Sequence, residues 1–131
     1  MLEVLPVQEK AQQESICLRC HVPYNPDWMA YAAYIDGALA GVCQFSMNAG
    51  GGHIYSIRGV DGYESTQTLF VMGRAALNFM DLCGIPRAYC EDKELPDDLA
   101  RMIGFSQDAQ GARFVELTHF FDHPCQHSAH K

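Results

Sequence analysis

The sequence has little positive charge. Nine of its 131 residues are Lys or Arg against 16 Asp and Glu, and those nine are scattered. A nucleic-acid binder needs a basic face to displace counterions, and an anionic membrane attracts clustered cations. With a net charge of −7, neither partner is expected. Met1 to Lys10 has no basic segment followed by an apolar run, so no secretory signal is expected. No stretch approaches the ~18 apolar residues of a membrane span. The expected location is therefore cytoplasmic. G-x-S-x-G, P-loop, G-x-G-x-x-G and local catalytic-cysteine patterns are all missing. Linkers, repeats and low-complexity segments are missing too, which leaves one domain over 1–131.

What the chain does have is apolar content, at 48%, with 19% charged residues. That balance gives a folded chain with its own core rather than a disordered one. Six Cys and six His are many for this length. Disulfides are rare in the cytosol, so the cysteines read as small buried hydrophobes. Cys17-Leu18-Arg19-Cys20-His21 matches the c-type haem pattern, but that attachment needs export. Zinc on Cys17, Cys20, Cys125 and His127 would be a mixed set without the usual spacing. His119, His123, His127 and His130 read as part of a polar terminus. No metal is assigned.

Periodicity supplies the elements. Residues 2–7 alternate as a first strand, and 9–21 carry Ala11, Ile16, Cys17 and Cys20 near helical spacing. Residues 28–35 read as a strand, with a helix over 27–35 after Asn25-Pro26 as the alternative. Asp36-Gly37 is a hairpin signal, 38–47 the return strand with a bulge hinted at Gly41, and 53–60 a third strand. The glycines 50–52 read as a flexible turn. Residues 65–83 form the clearest helix, capped by Ser65 or Thr66 and ended by Gly84. Leu69, Met72, Ala76, Phe79, Met80 and Cys83 make its stripe, with Phe70 and Leu77 off it. A short strand over 86–91, a helix over 96–103 and a strand over 114–121 complete an α/β (α+β) order with a mixed sheet.

The chain divides into an N-terminal strand and helix (1–27), a core (28–121) and a polar tail (122–131). Glu91, Asp92, Glu94, Asp97 and Asp98 form an acidic cluster without calcium-loop spacing, read as a solvated loop. Arg58 to Gln67 runs from a strand end into the best helix. Free N–H groups at such a junction suit an anion, and an ordinary capped loop explains the same residues equally well.

This order of elements resembles a small, degenerate GNAT-type (Gcn5-related) N-acetyltransferase domain over about Trp28 to Phe121. The resemblance rests on three parts: the hairpin leading to Ala40-Gly41-Val42-Cys43-Gln44-Phe45; Ile54 to Val60 followed by a long helix; and Met102-Ile103-Gly104-Phe105 before a closing strand. It implies a mostly antiparallel sheet flanked by helices. It implies acetyl-CoA as cofactor, held by Ile57, Arg58, Gly59 and Val60 and by the loop Gly62, Ser65, Thr66 and Gln67. The family's R/Q-x-x-G-x-G/A loop is absent, with Asp61 and Glu64 in its place. Ala100 stands where the family often has a Tyr, and Glu91 and Asp92 near its Asn. The implied activity is transfer to a small-molecule or peptide amine, and the acidic surface would suit a cationic one. Glu64 is the candidate base and Tyr63 or Tyr89 the acid. The alternative is a catalytically inactive binding or dimerising module of the same fold. Many such domains form homodimers, to which Phe114, Phe120 and Phe121 could contribute; the same rings suit a core.

Overall fold

In the computed structural model, residues 1–62 and 65–121 are described. Among these residues seven strands, β1 (Leu2–Pro6), β2 (Met29–Ile35), β3 (Ala38–Asn48), β4 (Gly51–Gly59), β5 (Arg87–Cys90), β6 (Ser106–Gln107) and β7 (Arg113–Glu116), form one sheet. Its order is β1-β2-β3-β4-β5-β7-β6. Every pairing is antiparallel except β4 with β5. A parallel pair needs a crossover, supplied by α2 (Thr66–Leu82). The mixed, mostly antiparallel sheet and its order of elements are those expected.

Among the described residues three α-helices cover the two faces: α2 and α3 (Asp97–Ile103) on one, α1 (Lys10–Arg19) on the other. On the first face Leu69, Met72, Ala76, Leu77 and Met80 of α2 meet Cys43 and Phe45 of β3, Ile54 and Ile57 of β4, and Ile103 of α3. Leu77, off the expected stripe, is fully buried, whereas Cys83 is exposed at the end of α2. Cys43 and Cys90 are buried as expected. On the second face Ile16, Cys17, Cys20 and Val22 pack on Ala30, Ala32, Val42 and Val60. Burial pushes the Cys17 thiol up to about 11, with Glu14 adding to it, and the Cys20 thiol up to about 12. Neither supplies much of the thiolate that metal or redox chemistry uses. Among the described residues no three metal-ligating side chains converge. Cys125 and His127 lie outside those residues, as do His123, His130 and the rest of 122–131.

Several boundaries differ from the sequence reading. Residues 28–35 contribute a strand, not the alternative helix, because every position of Leu2–Pro6 finds a partner there. β3 runs to Asn48 and β4 starts at Gly51, so the turn is Ala49-Gly50 and two glycines of the run are buried in the sheet. The closing strand stops at Glu116, not Phe121: Leu117 N–H turns to the Pro86 carbonyl, and His119 has φ 65°. β6, two residues long, carried too little pattern to be read. Asp36 and Gly37 have φ of 51° and 85°, as a tight hairpin with two left-handed residues requires.

Ser65 caps α2, its Oγ accepting from Thr68 N–H at 3.3 Å. We expect Ser65→Ala to cost about 1 kcal/mol in urea unfolding, as loss of such a cap does. No helix among the described residues is long and apolar enough to cross a membrane.

Candidate functional site

The site begins where β4 and β5 part. Their pairing runs Gly52–Ala88, His53–Tyr89 and Ile54–Cys90, followed by a bond from Glu91 N–H to the Ile54 carbonyl at 2.7 Å. Beyond it the two strands no longer pair. At the same level β4 carries a bulge: Gln44 pairs with Ser56 but Phe45 pairs with Ile54, which leaves Tyr55 as the extra residue. Tyr55 and Ser56 consequently both point to the α1 face, and Ile57 returns to the core. Such bulges re-aim side chains and end pairing, and are common beside functional sites.

The next N–H to face the gap is that of Ile57, and it donates to Asp92 Oδ2 at 2.9 Å. Asp92 is buried, 4% exposed. Its Oδ1 accepts from Arg58 Nη2 at 2.9 Å and from Glu94 N–H at 3.0 Å. A second carboxylate oxygen, Glu94 Oε1, lies 3.7 Å from the same guanidinium. This network satisfies a buried charge, as a buried carboxylate requires.

Above the parting lies an open stretch of sheet. Helix α1 covers β2 and β3, held by Gln13, whose Nε2 donates to Gln44 Oε1 at 3.1 Å; Gln44 in turn donates to Ser56 Oγ and the Pro23 carbonyl. Over β4 and β5 a row of rings stands instead. Trp28 stacks on Tyr55 with centroids 3.9 Å apart, Tyr55 on His53 at 6.0 Å, and His53 on Tyr89 at 5.6 Å. His53 Nδ1 is 2.9 Å from Glu91 Oε2, both side chains partly open to solvent. A histidine oriented by a carboxylate is a proton-transfer pair, with Nδ1–H given to Glu91 and the Nε2 lone pair left to act.

The expected site residues fall in three groups. Ile57, Arg58 and Gly59 lie on β4 along the gap. Val60 and Gly62 form a 3-10 turn whose middle residue, Asp61, has φ 42° and faces His21 at 3.4 Å. Ser65, Thr66 and Gln67 form the start of α2, where the first N–H groups have no intrahelical carbonyl. The candidate base Glu64 and acid Tyr63 lie outside the described residues. Tyr89 stands on the open face beside His53, with the Arg87 guanidinium carbon 5.9 Å from its ring centroid. His53 and the Asp92 contact were not foreseen. Only the pairing of β4 with β5 joins residues 53 and 91, and no local spacing signals it.

No protein-family model matches the sequence, and no curated protein matches it either. Solved structures do match in shape. The ribosomal-protein-S18-alanine N-acetyltransferase from Escherichia coli superposes with a TM-score of 0.67 at 10% identity, over 89% of this chain and 94% of that one. The PaiA N-acetyltransferase from Thermoplasma acidophilum, in complex with coenzyme A, gives 0.68 at 11%, over 88% and 99%. A GNAT-family protein from Desulfovibrio desulfuricans gives 0.69 at 10%, over 89% and 99%. The fold is thus the GNAT-type fold that the sequence resembles.

Proposed function

We propose that the chain is an acyl-CoA-dependent N-acyltransferase, with the His53–Glu91 pair serving the acceptor amine. The carrying observation is the position of that pair, one residue short of the parting of β4 and β5 and within the same stretch of β4 as the Ile57 N–H. The fold neighbours support the class, since the PaiA structure holds coenzyme A.

The residues fit an acyl-CoA on the chemistry of their donors. Ile57 N–H, at the gap, already bonds a carbonyl-like oxygen, that of Asp92. The 17-residue helix α2 begins after β4 with the free N–H groups that suit phosphate oxygens. Ile57 would hold the acyl oxygen and Thr66 and Gln67 the phosphates. An acyl-CoA supplies a carbonyl activated by a thiolate leaving group.

An ammonium acceptor must lose a proton before its nitrogen can attack. His53 Nε2 receives that proton, and Glu91 holds the ring by its Nδ1–H. Tyr89 and Tyr55, both stacked on the imidazole, hold its plane. Ile57 N–H would give the acyl oxygen a fixed backbone donor. Glu91, exposed beside His53, favours a cationic amine at the open face.

The Asp92 carboxylate at the Ile57 amide favours a second reading, a GNAT-fold binding module without transfer. Titration with acetyl-CoA separates the two. We expect thermal stabilisation that grows with the logarithm of ligand concentration, reaching about 2.7 kcal/mol at 100 times the dissociation constant, and acetylated product by mass spectrometry with polyamine or aminoalkyl acceptors. Saturable binding with no product from any amine would leave the module; absence of binding at millimolar acetyl-CoA would dispose of the acyl-CoA reading altogether.

A further inference from the structure

We infer that Asp92 is an internal latch on the acyl site: its carboxylate occupies the amide that the acyl oxygen must take, so ligand binds only by displacing it. This rests on the acyl-CoA reading above. Asp92 Oδ2 holds Ile57 N–H at 2.9 Å while the side chain is almost wholly buried between the ends of β4 and β5. One N–H cannot make two good bonds at once, so the two oxygens compete for it.

The surroundings let the side chain leave. Asp92 lines a concavity of about 310 Å³ beside the end of β5, with Tyr89, Glu91, Lys93 and Arg113 among its walls. The Arg58 side chain is partly open to solvent, so water can replace the carboxylate on its guanidinium. The backbone at Asp92 is anchored independently, its carbonyl accepting from Arg113 Nη1 at 3.1 Å and from Leu95 N–H at 3.3 Å. A side-chain rotation therefore opens the amide without unfolding the loop. The carboxylate also opposes the negative charge that would grow on an acyl oxygen at that amide, so its departure affects turnover as well as affinity.

The test compares Asp92→Ala, Asp92→Ser and Glu94→Gln with the unaltered chain, by calorimetric titration with acetyl-CoA at one salt concentration. Ser can still cap the Glu94 N–H and guards against misfolding of the Ala variant, while its hydroxyl is too short to span the gap. Glu94→Gln removes one charge next to Arg58 without touching Ile57. We expect acetyl-CoA to bind about tenfold tighter or better to both Asp92 variants, the scale of a displaced charge-assisted hydrogen bond. Glu94→Gln should change affinity less than threefold. Ile57 amide exchange should accelerate in the free Asp92 variants and slow again with ligand. If the unaltered chain binds and the Asp92 variants gain no more than Glu94→Gln, the latch is wrong and the transferase reading survives. If no variant binds acetyl-CoA, both fall.

Discussion

Replacing His53 by Gln should lower kcat/KM for amine acetylation by about 10²–10⁴-fold, the range that a positioned general base contributes. The fold should tolerate the change, since the imidazole lies on the open sheet face and only its neighbours' stacking is lost. Glu91→Gln should cost less, about tenfold, because the ring is then held by a weaker acceptor. The two effects should not add: with His53 gone, Glu91 has no proton-transfer group to orient, so the double variant should match His53→Gln alone. A purely structural role for Glu91 predicts additive losses, which makes the cycle decisive for the pair. Acetyl-CoA affinity should stay within threefold throughout, since neither side chain is placed on the acyl or phosphate sites. Activity of His53→Gln within twofold of the unaltered enzyme would sink the assignment.

Gly51→Ala should destabilise the fold by about 2–6 kcal/mol. Gly51 has φ 128°, a conformation nearly restricted to glycine and costing another residue about 1–3 kcal/mol. A β-carbon there would stand 2.7 Å from the Arg87 carbonyl oxygen. That atom is backbone, fixed by the pairing of β5 with β7, so overpacking adds about 1–3 kcal/mol. Its neighbour supplies the control. A β-carbon at Gly50 meets the movable Asn48 side chain at 3.2 Å, so Gly50→Ala should cost less than about 1 kcal/mol. Urea unfolding of both variants reads the contrast. A Gly51→Ala chain within 1 kcal/mol of the original would mean that β4 and β5 can shift apart where their pairing starts. The same shift would move the parting of the strands, and with it the site.

The sequence carries the fold through signals that are local. Asp36-Gly37 marks a hairpin because two adjacent residues take positive φ, and Ser65 with the apolar repeat marks α2 because capping and periodicity act within a few residues. β6 escaped because two residues hold no period, and the end of β7 was misplaced because Leu117 is buried by a tertiary bond to Pro86 rather than by sheet pairing. The stretch from Arg58 to Gln67 reads from sequence as an anion-suited junction or an ordinary capped loop, since strand end, glycine and cap follow one another closely. His53 with Glu91, and Ile57 with Asp92, are separated by 38 and 35 positions. They meet only through a parallel pairing closed by a 17-residue helix, and a single sequence gives no sign of such a register.

The extra residue in β4 has a consequence for the strand's length. Ile54 and Ile57 are three apart yet share the core, so inside and outside change phase once between them. Before the change, odd positions look outward; after it, even ones do. His53 and Arg58 can lie on the same side of the sheet only because of this switch. A strand of the same residues without the bulge would exchange interior and exterior for everything downstream, sending Arg58 inward and Ile57 out. The bulge therefore sets which side each later residue takes, and the donor that faces the gap is fixed with it.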